Sequence, residues 1–402
     1  MSKKVNLAVA ATVTLIAMAV TFSITMVVSM DMFNNIVSGV KNREQMYNKL
    51  AEIDRYVRNN EYAEINEDTL NDTIASGYML GINDPYARYY SAKAYSERMG
   101  LENGRLMNVG VSVIKDSSSG YARILRVYDG SPAAENGLEA GGFITAINGT
   151  GVRTMTDTAA INSALIGEEG TTVSISYLTP DRQEQTMDLV HANYTTTTVF
   201  AQLLDGNVAY IDIDAFSANT GLEFRSAVDS MLNQGAVAFV FDLRDNTGET
   251  LNSALIAADY CVPAGLVAQS QAKDGTVTDL RVSDDHEVTL PMACLVNEST
   301  AGGAELFANA LRKMSGANLV GTTTAGMGVL LSDPQSFSDG SAAVITVGLL
   351  LDNEGETWNG AGLTPDVDAA LTADEQSSYY DFTVQTDPQI SRAVNAVLAL
   401  VG

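Results

Sequence analysis

The sequence from residue 292 to residue 305 is Met-Ala-Cys-Leu-Val-Asn-Glu-Ser-Thr-Ala-Gly-Gly-Ala-Glu. Its continuous apolar start, Met292 to Asn297, is typical of a strand buried on both faces of a parallel sheet. Small and polar residues follow, and helical spacing of apolar residues then runs from Ala304 to Met314. The stretch therefore predicts a strand, a turn and a helix, which is the repeating unit of an α/β core.

The same alternation of strands and helices continues on both sides of this stretch. The additional predicted strands and helices are Val208–Ile213, residues 218–233, Ala236–Leu243 and residues 250–260. We therefore predict an α/β core domain over residues 193–370. A C-terminal helical segment, residues 371–402, follows it and ends in an amphipathic helix that Asp387 caps, with Pro388 in the first turn.

Between about residues 105 and 190 the pattern changes to short alternating strands separated by turn signals. Two short helices interrupt these strands, one capped by Ser131 and one from Thr156 to Ile166. The sequence Gly130-Ser-Pro-Ala-Ala-Glu-Asn-Gly-Leu, followed by Ile144-Thr-Ala-Ile-Asn-Gly, resembles a PDZ domain. We predict an α+β PDZ domain over residues 101–192, with one departure at Gly142, where these domains usually carry Asp.

The N-terminus predicts a membrane anchor. Residues 5–30 are almost uninterruptedly apolar, long enough to cross a bilayer of about 30 Å as a helix. Lys3 and Lys4 precede this span, so we expect residues 1–4 as a cytoplasmic tip and the bulk of the chain outside, in a single-pass protein of the cell membrane. A cleaved signal peptide is the alternative. Residues 31–100 are predicted as an N-terminal helical region, with one helix from about 31 to 75.

Composition excludes several partners. The 402 residues carry a formal net charge of −26, which argues against nucleic acid as a partner. His191 and His286 flank no acidic or cysteine cluster, so no metal site and no cofactor are predicted. Cys261 and Cys294 both sit in apolar surroundings, which favours two buried thiols over a single disulfide.

Several motifs together resemble the carboxyl-terminal processing, or tail-specific, serine peptidases. These motifs are Gly81-Ile-Asn-Asp-Pro-Tyr-Ala-Arg-Tyr, the PDZ segment, Asp242-Leu-Arg-Asp-Asn-Thr-Gly, the stretch from Leu295 to Glu305, and Gly360-Ala-Gly-Leu-Thr-Pro-Asp-Val. They occur in the family's order from about residue 75 to the end. The resemblance implies a ClpP/crotonase-like peptidase core with the PDZ domain inserted before it.

The family's catalytic residues are a Ser nucleophile, a Lys base and a Gln that supports the Lys. Carried over onto this sequence, the resemblance puts Gly302 at the nucleophile position, Met327 at the Lys position and Leu331 at the Gln position. The oxyanion-hole remnant falls on Gly248 and Gly303, with a carboxylate at Glu249 nearby. No intact catalytic residue is therefore predicted.

What the resemblance leaves intact is peptide binding. In a PDZ domain a protein's C-terminal tail is added as a strand, with its carboxylate held by backbone N–H groups, here near Asn108, Val109, Gly110 and Val111. We therefore expect a membrane-anchored pseudo-peptidase that binds C-terminal tails of extracytoplasmic or membrane proteins as adaptor or scaffold. Homo-oligomerisation or pairing with an active relative are further expectations. The alternative is an active serine-type endopeptidase with an unrecognised catalytic arrangement.

Overall fold

The computed structural model describes residues 7–102, 105–106, 108–192, 194–195 and 197–401. These residues form two compact units, divided between Asp72 and Thr73. The described helices are α1 (Leu7–Asn60), α2 (Glu67–Gly81), α3 (Ala92–Glu102), α4 (Pro132–Glu135), α5 (Thr158–Leu165), α6 (Thr220–Asn233), α7 (Leu251–Cys261), α8 (Gly303–Ser315), α9 (Ala373–Ser377) and α10 (Pro388–Leu398). Short 3-10 turns cover Val152–Thr154, Asp205–Asn207 and Tyr379–Asp381.

The described strands before residue 215 are β1 (Arg88–Tyr90), β2 (Arg105–Leu106), β3 (Val111–Lys115), β4 (Ala122–Val127), β5 (Phe143–Ile147), β6 (Thr150–Gly151), β7 (Thr172–Leu178), β8 (Glu184–Val190), β9 (Tyr194–Thr195), β10 (Val199–Leu203) and β11 (Val208–Ile213). Those after it are β12 (Ala238–Asp242), β13 (Gly265–Ala272), β14 (Val277–Ser283), β15 (Met292–Val296), β16 (Asn318–Gly321), β17 (Val329–Leu331), β18 (Gln335–Ser336), β19 (Ala342–Val344), β20 (Thr346–Asp352) and β21 (Val367–Asp368).

The helix predicted from about residue 31 to residue 75 is interrupted in the structure. The predicted single helix from about 31 to 75 is wrong, because α1 ends at Asn60 and α2 begins at Glu67. Asn60 Nδ2 donates to Tyr56 O at 2.7 Å, and the N–H of Thr69 donates to Asn66 Oδ1 at 2.9 Å. Asparagine side chains that bond the backbone in this way compete with the helical ladder and favour helix ends.

The predicted membrane span lies only partly within the described residues. The cytoplasmic tip, residues 1–4, and the first two residues of the span are outside them, and α1 begins at Leu7. Within the described residues, no helix is both long enough and apolar enough to cross a membrane.

Residues 108–192 form the α+β domain that the sequence predicts. The sheet order is β3-β4-β5-β7-β8, and β3 is therefore an edge strand. Ser131 caps α4 with Pro132 in the first turn, and Asp157 caps α5. A Cβ on Gly142 would lie 2.3 Å from the ring of Tyr177, which explains why glycine stands where Asp is usual.

The core is a three-layer α/β domain. Its sheet has the order β10-β11-β12-β15-β16-β21, parallel except for the edge strand β10. Helices α6, α7 and α8 pack on one face, and α10 packs on the other. Both faces are covered, which accounts for the uninterrupted apolar runs of the central strands. Cys261 on α7 and Cys294 on β15 are free thiols buried in the same hydrophobic core.

The sequence did not predict a second, antiparallel sheet in the core domain. Its strand order is β14-β13-β20-β17. The hairpin strand β13 reads Gly-Leu-Val-Ala-Gln-Ser-Gln-Ala, and β14 is largely exposed, so neither carries the apolar run that marks the central strands. A small sheet, β1-β19-β18, pairs residues 88–90 with residues 342–344 of the core domain.

Candidate functional site

The turn between β15 and α8 holds the residue predicted at the nucleophile position. Gly302 is the N-cap of α8, with φ +53° and ψ −116°, a conformation that side chains rarely adopt. A Cβ built on it would lie 3.3 Å from Thr247 O and 3.6 Å from Met327 Sδ. The two positions assigned from the sequence to nucleophile and base are therefore neighbours, but neither carries a polar side chain.

A buried carboxylate joins this turn to the loop that carries Met327. Glu305 accepts hydrogen bonds from the N–H groups of Gly302 at 3.1 Å, Gly326 at 2.8 Å and Met327 at 2.7 Å, and from the Thr324 hydroxyl. Burial raises the pKa of Glu305, and the hydrogen bonds oppose that rise. Sequence reasoning used Glu305 only as the end of a motif. Apart from Gly302, three residues before it, its partners lie about twenty residues away, so the sequence offers no local signal for the link to the loop of Met327.

The two N–H groups predicted as an oxyanion-hole remnant already have acceptors. Gly248 N–H donates to Asn246 Oδ1 at 2.9 Å, and Gly303 N–H donates to Gly248 O at 3.2 Å. Gly248 has φ +65°, and a Cβ there would meet Gly303 N at 2.3 Å, so only glycine fits. The exposed Glu249 stands beside the site, where its carboxylate accepts from the Thr247 hydroxyl.

Leu331 lies at the end of β17, four residues beyond Met327. It is half-buried, and it pairs with Thr346 on β20 at the edge of the four-stranded sheet. Thr346 in turn donates to Asp84 through its N–H at 3.0 Å and its hydroxyl at 3.1 Å. Tyr86 OH donates to Gly326 O at 3.3 Å. The segment around residues 81–89 therefore holds the loop that carries Met327 in place through hydrogen bonds.

Three basic side chains that could in principle replace the missing base, His191, His286 and Lys313, have other partners. His191 lies in the PDZ domain, with Nδ1 2.9 Å from Thr171 Oγ1 and Nε2 3.1 Å from Leu165 O. His286 Nδ1 is 3.0 Å from Tyr260 O. Lys313 Nζ is 2.5 Å from a Glu354 oxygen.

One cluster of carboxylates has the spacing of cation ligands. Oxygens of Asp352, Glu354 and Glu356 lie within 4.8 Å of one another. Lys313 Nζ lies 3.5 Å from Asp352 and 3.3 Å from Glu356, so an ammonium group already neutralises part of their charge.

The predicted peptide-binding loop leads into β3. Asn108 Oδ1 accepts from Gly110 N–H at 2.7 Å and from Tyr194 OH at 2.6 Å. Val109 and Val111 are buried. The structure thus brings the four predicted residues together at the start of an edge strand, but the N–H of Gly110 is already bonded to a side chain within the loop.

Ion pairs between Arg126 of the PDZ domain and Asp212 and Asp214 of the core connect the two domains. The sequence did not predict them. Arg126 on β4 donates to Asp212 Oδ2 at 2.6 Å and to Asp214 Oδ1 at 3.0 Å, and its guanidinium lies 3.7 Å from the centre of the Phe200 ring. Burial, followed by repulsion from Asp214 and Asp242, raises the pKa of Asp212 to about 7.

Comparisons with known proteins agree with this architecture. The profile of peptidase family S41 matches residues 207–369, and that of the PDZ domain matches residues 123–176. The core is therefore a peptidase S41 domain joined to a PDZ domain. The chain is 28% identical over 343 residues to the carboxy-terminal processing protease CtpA of Bacillus subtilis (strain 168), covering 84% of this chain and 72% of that protein.

A second relative of similar identity is the carboxyl-terminal-processing protease of Synechocystis sp. (strain ATCC 27184 / PCC 6803 / Kazusa), 28% identical over 320 residues, covering 78% of this chain and 74% of that protein. The two domain matches and these relatives support a likeness to the CtpA-like carboxyl-terminal processing proteases, as the motifs of the sequence indicated. A putative S41 protease from Bacteroides fragilis NCTC 9343 shares the fold, with a TM-score of 0.59 at 19% identity over 85% of this chain and 93% of that one.

Proposed function

We propose that this chain is a pseudo-peptidase that binds the C-terminal tails of extracytoplasmic or membrane proteins through its PDZ domain and acts as adaptor or scaffold. The observation that carries the loss of catalysis is the pair Gly302 and Met327. The position of a nucleophile's Cβ lies 3.6 Å from a thioether sulfur, which cannot accept a proton from an attacking group.

Two hydrogen bonds and one charged side chain further support an inactive site. Gly248 and Gly303 donate their N–H groups within the protein, so a developing oxyanion would have to displace these bonds. Glu249 adds negative charge beside a site that would have to stabilise negative charge. Removal of a nucleophile–base unit typically leaves about 10³ to 10⁴-fold acceleration over water, too little to detect on peptide bonds.

The exposed edge of β3 supports tail binding. Alternate residues of an antiparallel strand direct their N–H and C=O groups away from the neighbouring strand. Lys115 belongs to that outward set, since its N–H donates to Thr158 Oγ1 on α5 at 3.0 Å. Val111 and Val113 follow the same alternation, so they can pair with an extended peptide between β3 and α5.

Membrane anchoring completes the proposal. Lys3 and Lys4 before the apolar residues 5–30 support a single-pass anchor in the cell membrane with the PDZ and core domains outside the cytoplasm. Clients would then be tails that are accessible on that side of the membrane.

The test is binding of unstructured peptides to the purified full-length chain, with recovery of the peptide afterwards. We expect weak binding of a peptide with a free C-terminal carboxylate and an apolar last residue, loss of binding on amidation, and intact peptide by mass spectrometry. Val113→Pro removes one outward N–H of the edge strand, so this variant should lose binding. Because Val113 is buried in the core of the PDZ domain, its far-UV circular dichroism spectrum must first show that the domain still folds. Equal binding of amidated and free peptides, or unchanged binding by the variant, would reject the PDZ mode.

A further inference from the structure

The loop predicted to hold a client's carboxylate is closed by one of its own side chains. Asn108 Oδ1 accepts hydrogen bonds from the N–H of Gly110 at 2.7 Å and from the hydroxyl of Tyr194 at 2.6 Å. Both donors therefore converge on one oxygen of an uncharged amide. A carboxylate oxygen in the same place would be bound about twice as strongly, because hydrogen bonds to an ionised acceptor are stronger than those to a neutral one.

Tyr194 reaches this loop from outside the predicted PDZ domain, which ends at residue 192. It lies on β9, where it pairs with Leu106 of β2, the strand that leads into the loop. A Cβ built on Gly110 would lie 3.2 Å from the Tyr194 hydroxyl oxygen, so this hydroxyl lies against the glycine of the loop. Burial, followed by the charge of the Tyr128 phenol, raises the pKa of Tyr194, and the hydroxyl therefore stays a hydrogen-bond donor at neutral pH.

The backbone of the loop is held from its other side. The N–H of Tyr128 donates to Gly110 O at 3.0 Å, and the N–H of Ala133 donates to Val109 O at 2.8 Å. These bonds fix the carbonyl groups of the loop and so the direction of its N–H groups. A client's carboxylate can therefore reach the N–H of Gly110 if the side chain of Asn108 alone turns away.

We propose that Asn108 occupies the place of the client's terminal carboxylate in the unbound PDZ domain, and that Tyr194 donates its hydroxyl to that carboxylate once Asn108 has turned away. This inference rests on the proposed binding of C-terminal tails and adds two residues that set its affinity. Only the fraction of molecules in which Asn108 has left the loop can bind, and the apparent affinity falls by that fraction. A charged tail gains more from the two donors than the amide it displaces, whereas an amidated tail does not.

Substitutions at position 108 should change the affinity in opposite directions. The probe is an N-terminally labelled Gly/Ser peptide that ends in two valines, and fluorescence anisotropy measures its binding to the purified full-length chain. Asn108→Ala removes the competing oxygen and should tighten binding about threefold to tenfold. Asn108→Asp puts a carboxylate in the same place and should weaken binding about tenfold.

A matched control for these variants is Asn148→Ala. Asn148 Oδ1 also accepts a backbone N–H in the PDZ domain, from Ser174 at 2.9 Å, but it lies in the turn between β5 and β6. We expect this variant to bind the probe as the parent does.

Tyr194→Phe removes the hydroxyl and keeps the ring. We expect a severalfold smaller preference for the free peptide over its amidated form. In the Asn108→Ala background the hydroxyl serves the client alone, so its removal should weaken binding of the free peptide about tenfold, more than in the parent. Tyr177→Phe is the matched control, since the Tyr177 hydroxyl accepts from the N–H of Glu139 at 3.1 Å within the same domain, and its preference should be that of the parent.

The inference and the proposed tail binding fail in different ways. Equal or weaker binding by Asn108→Ala, or an unchanged preference for the free peptide in Tyr194→Phe, would overturn the inference while the parent still distinguishes free from amidated peptide. If the parent and Asn108→Ala both bind the two peptides equally, or bind neither, tail binding itself is rejected. Far-UV circular dichroism checks the fold of each variant, and unfolding cannot produce the gain expected of Asn108→Ala.

Discussion

Position 302 has room for a side chain but a backbone that disfavours one. The nearest atoms to a Cβ there are 3.3 to 3.6 Å away, which is tight but not prohibitive, whereas φ is +53°. We predict that Gly302→Ser folds but loses about 1–3 kcal/mol of stability, because a strained φ must be held by the surrounding structure. Chemical denaturation measures the loss. A stability equal to that of the parent would mean that the turn relaxes and that 302 is not held in a strained conformation.

Serine at 302 alone should give no hydrolysis, since the catalytic residues act as a unit. Gly302→Ser, Met327→Lys and Leu331→Gln together are the minimum that restores the family's groups, and Glu249→Gly removes the adjacent charge. Glu305 adds a condition that the sequence did not reveal, because its carboxylate accepts from the N–H of residue 327. A lysine near that carboxylate would be stabilised as the ammonium ion, which makes it a poorer base at neutral pH.

The ion pairs of Arg126 with Asp212 and Asp214 predict that the stability of the folded protein depends on pH. The folded-state pKa of Asp212, about 7, lies above the ordinary carboxyl value near 4. The protonated carboxyl of Asp212 therefore stabilises the folded protein. This contribution is fully present below about pH 4 and is lost as the pH rises from there through about 7. We predict that Asp212→Asn raises stability at pH 8 by about 1–2 kcal/mol and flattens the dependence between pH 5 and 8.

Thermal unfolding across this pH range measures the effect, with Asp188→Asn, an exposed carboxylate on β8, as control. A parallel shift of the Asp212→Asn and parent curves at every pH would contradict the raised pKa.

The juxtaposition of Gly302 and Met327 could be predicted because the family's motif spacing carries it. The contacts of Glu305 and Arg126 could not, because they join residues that are distant in the chain and share no local pattern.

Among the helices and strands, the sequence predicted best those strands that are buried on both faces of the sheet. Strands β11, β12 and β15 are uninterrupted apolar runs, and α8 and α10 carry clear caps or spacing, so these elements were predicted within about two residues. The second sheet was missed because β13 and β14 alternate weakly and are partly exposed. Its stability comes from packing against distant segments, which composition does not encode.

The attachment of α10 to the core predicts a large effect from one arginine. Arg244 bonds Asp242 at 2.6 Å and Asp387, the N-cap of α10, at 2.9 Å, with all three side chains less than 10% exposed. We predict that Arg244→Gln lowers stability by about 3–5 kcal/mol, because it leaves two buried carboxylates without a cation. Arg392→Gln is the matched control, since Arg392 is more exposed and lies 3.5 Å from Glu375; its loss should be under about 1 kcal/mol.

Urea denaturation of Arg244→Gln and Arg392→Gln measures the loss of folding stability in each variant. Similar losses in the two would show that burial does not govern the Arg244 network.

For the whole molecule, we predict a single membrane span with the bulk of the chain outside the cytoplasm. A reporter fused after Gly402 should be active outside the cytoplasm, and the protein should sediment with membranes, because Lys3 and Lys4 precede the apolar stretch. Exchanging both lysines for glutamate should reduce correct orientation, since the positive-inside tendency depends on them. Appearance of a soluble form beginning near Asp31 would show instead that the segment is a cleaved signal peptide.

We propose that the peptidase S41 core of this chain does not cleave peptides. Prolonged incubation of the full-length protein with an unstructured C-terminal tail peptide tests this proposal. Mass spectrometry of the peptide should show no products, since Gly302 offers no attacking atom and Met327 no base. Ser299→Ala serves as a control for contaminating peptidases, because the variant should behave like the parent. Hydrolysis by the unmodified chain that persists in Ser299→Ala and disappears on mutating another residue of the cleft would contradict the account.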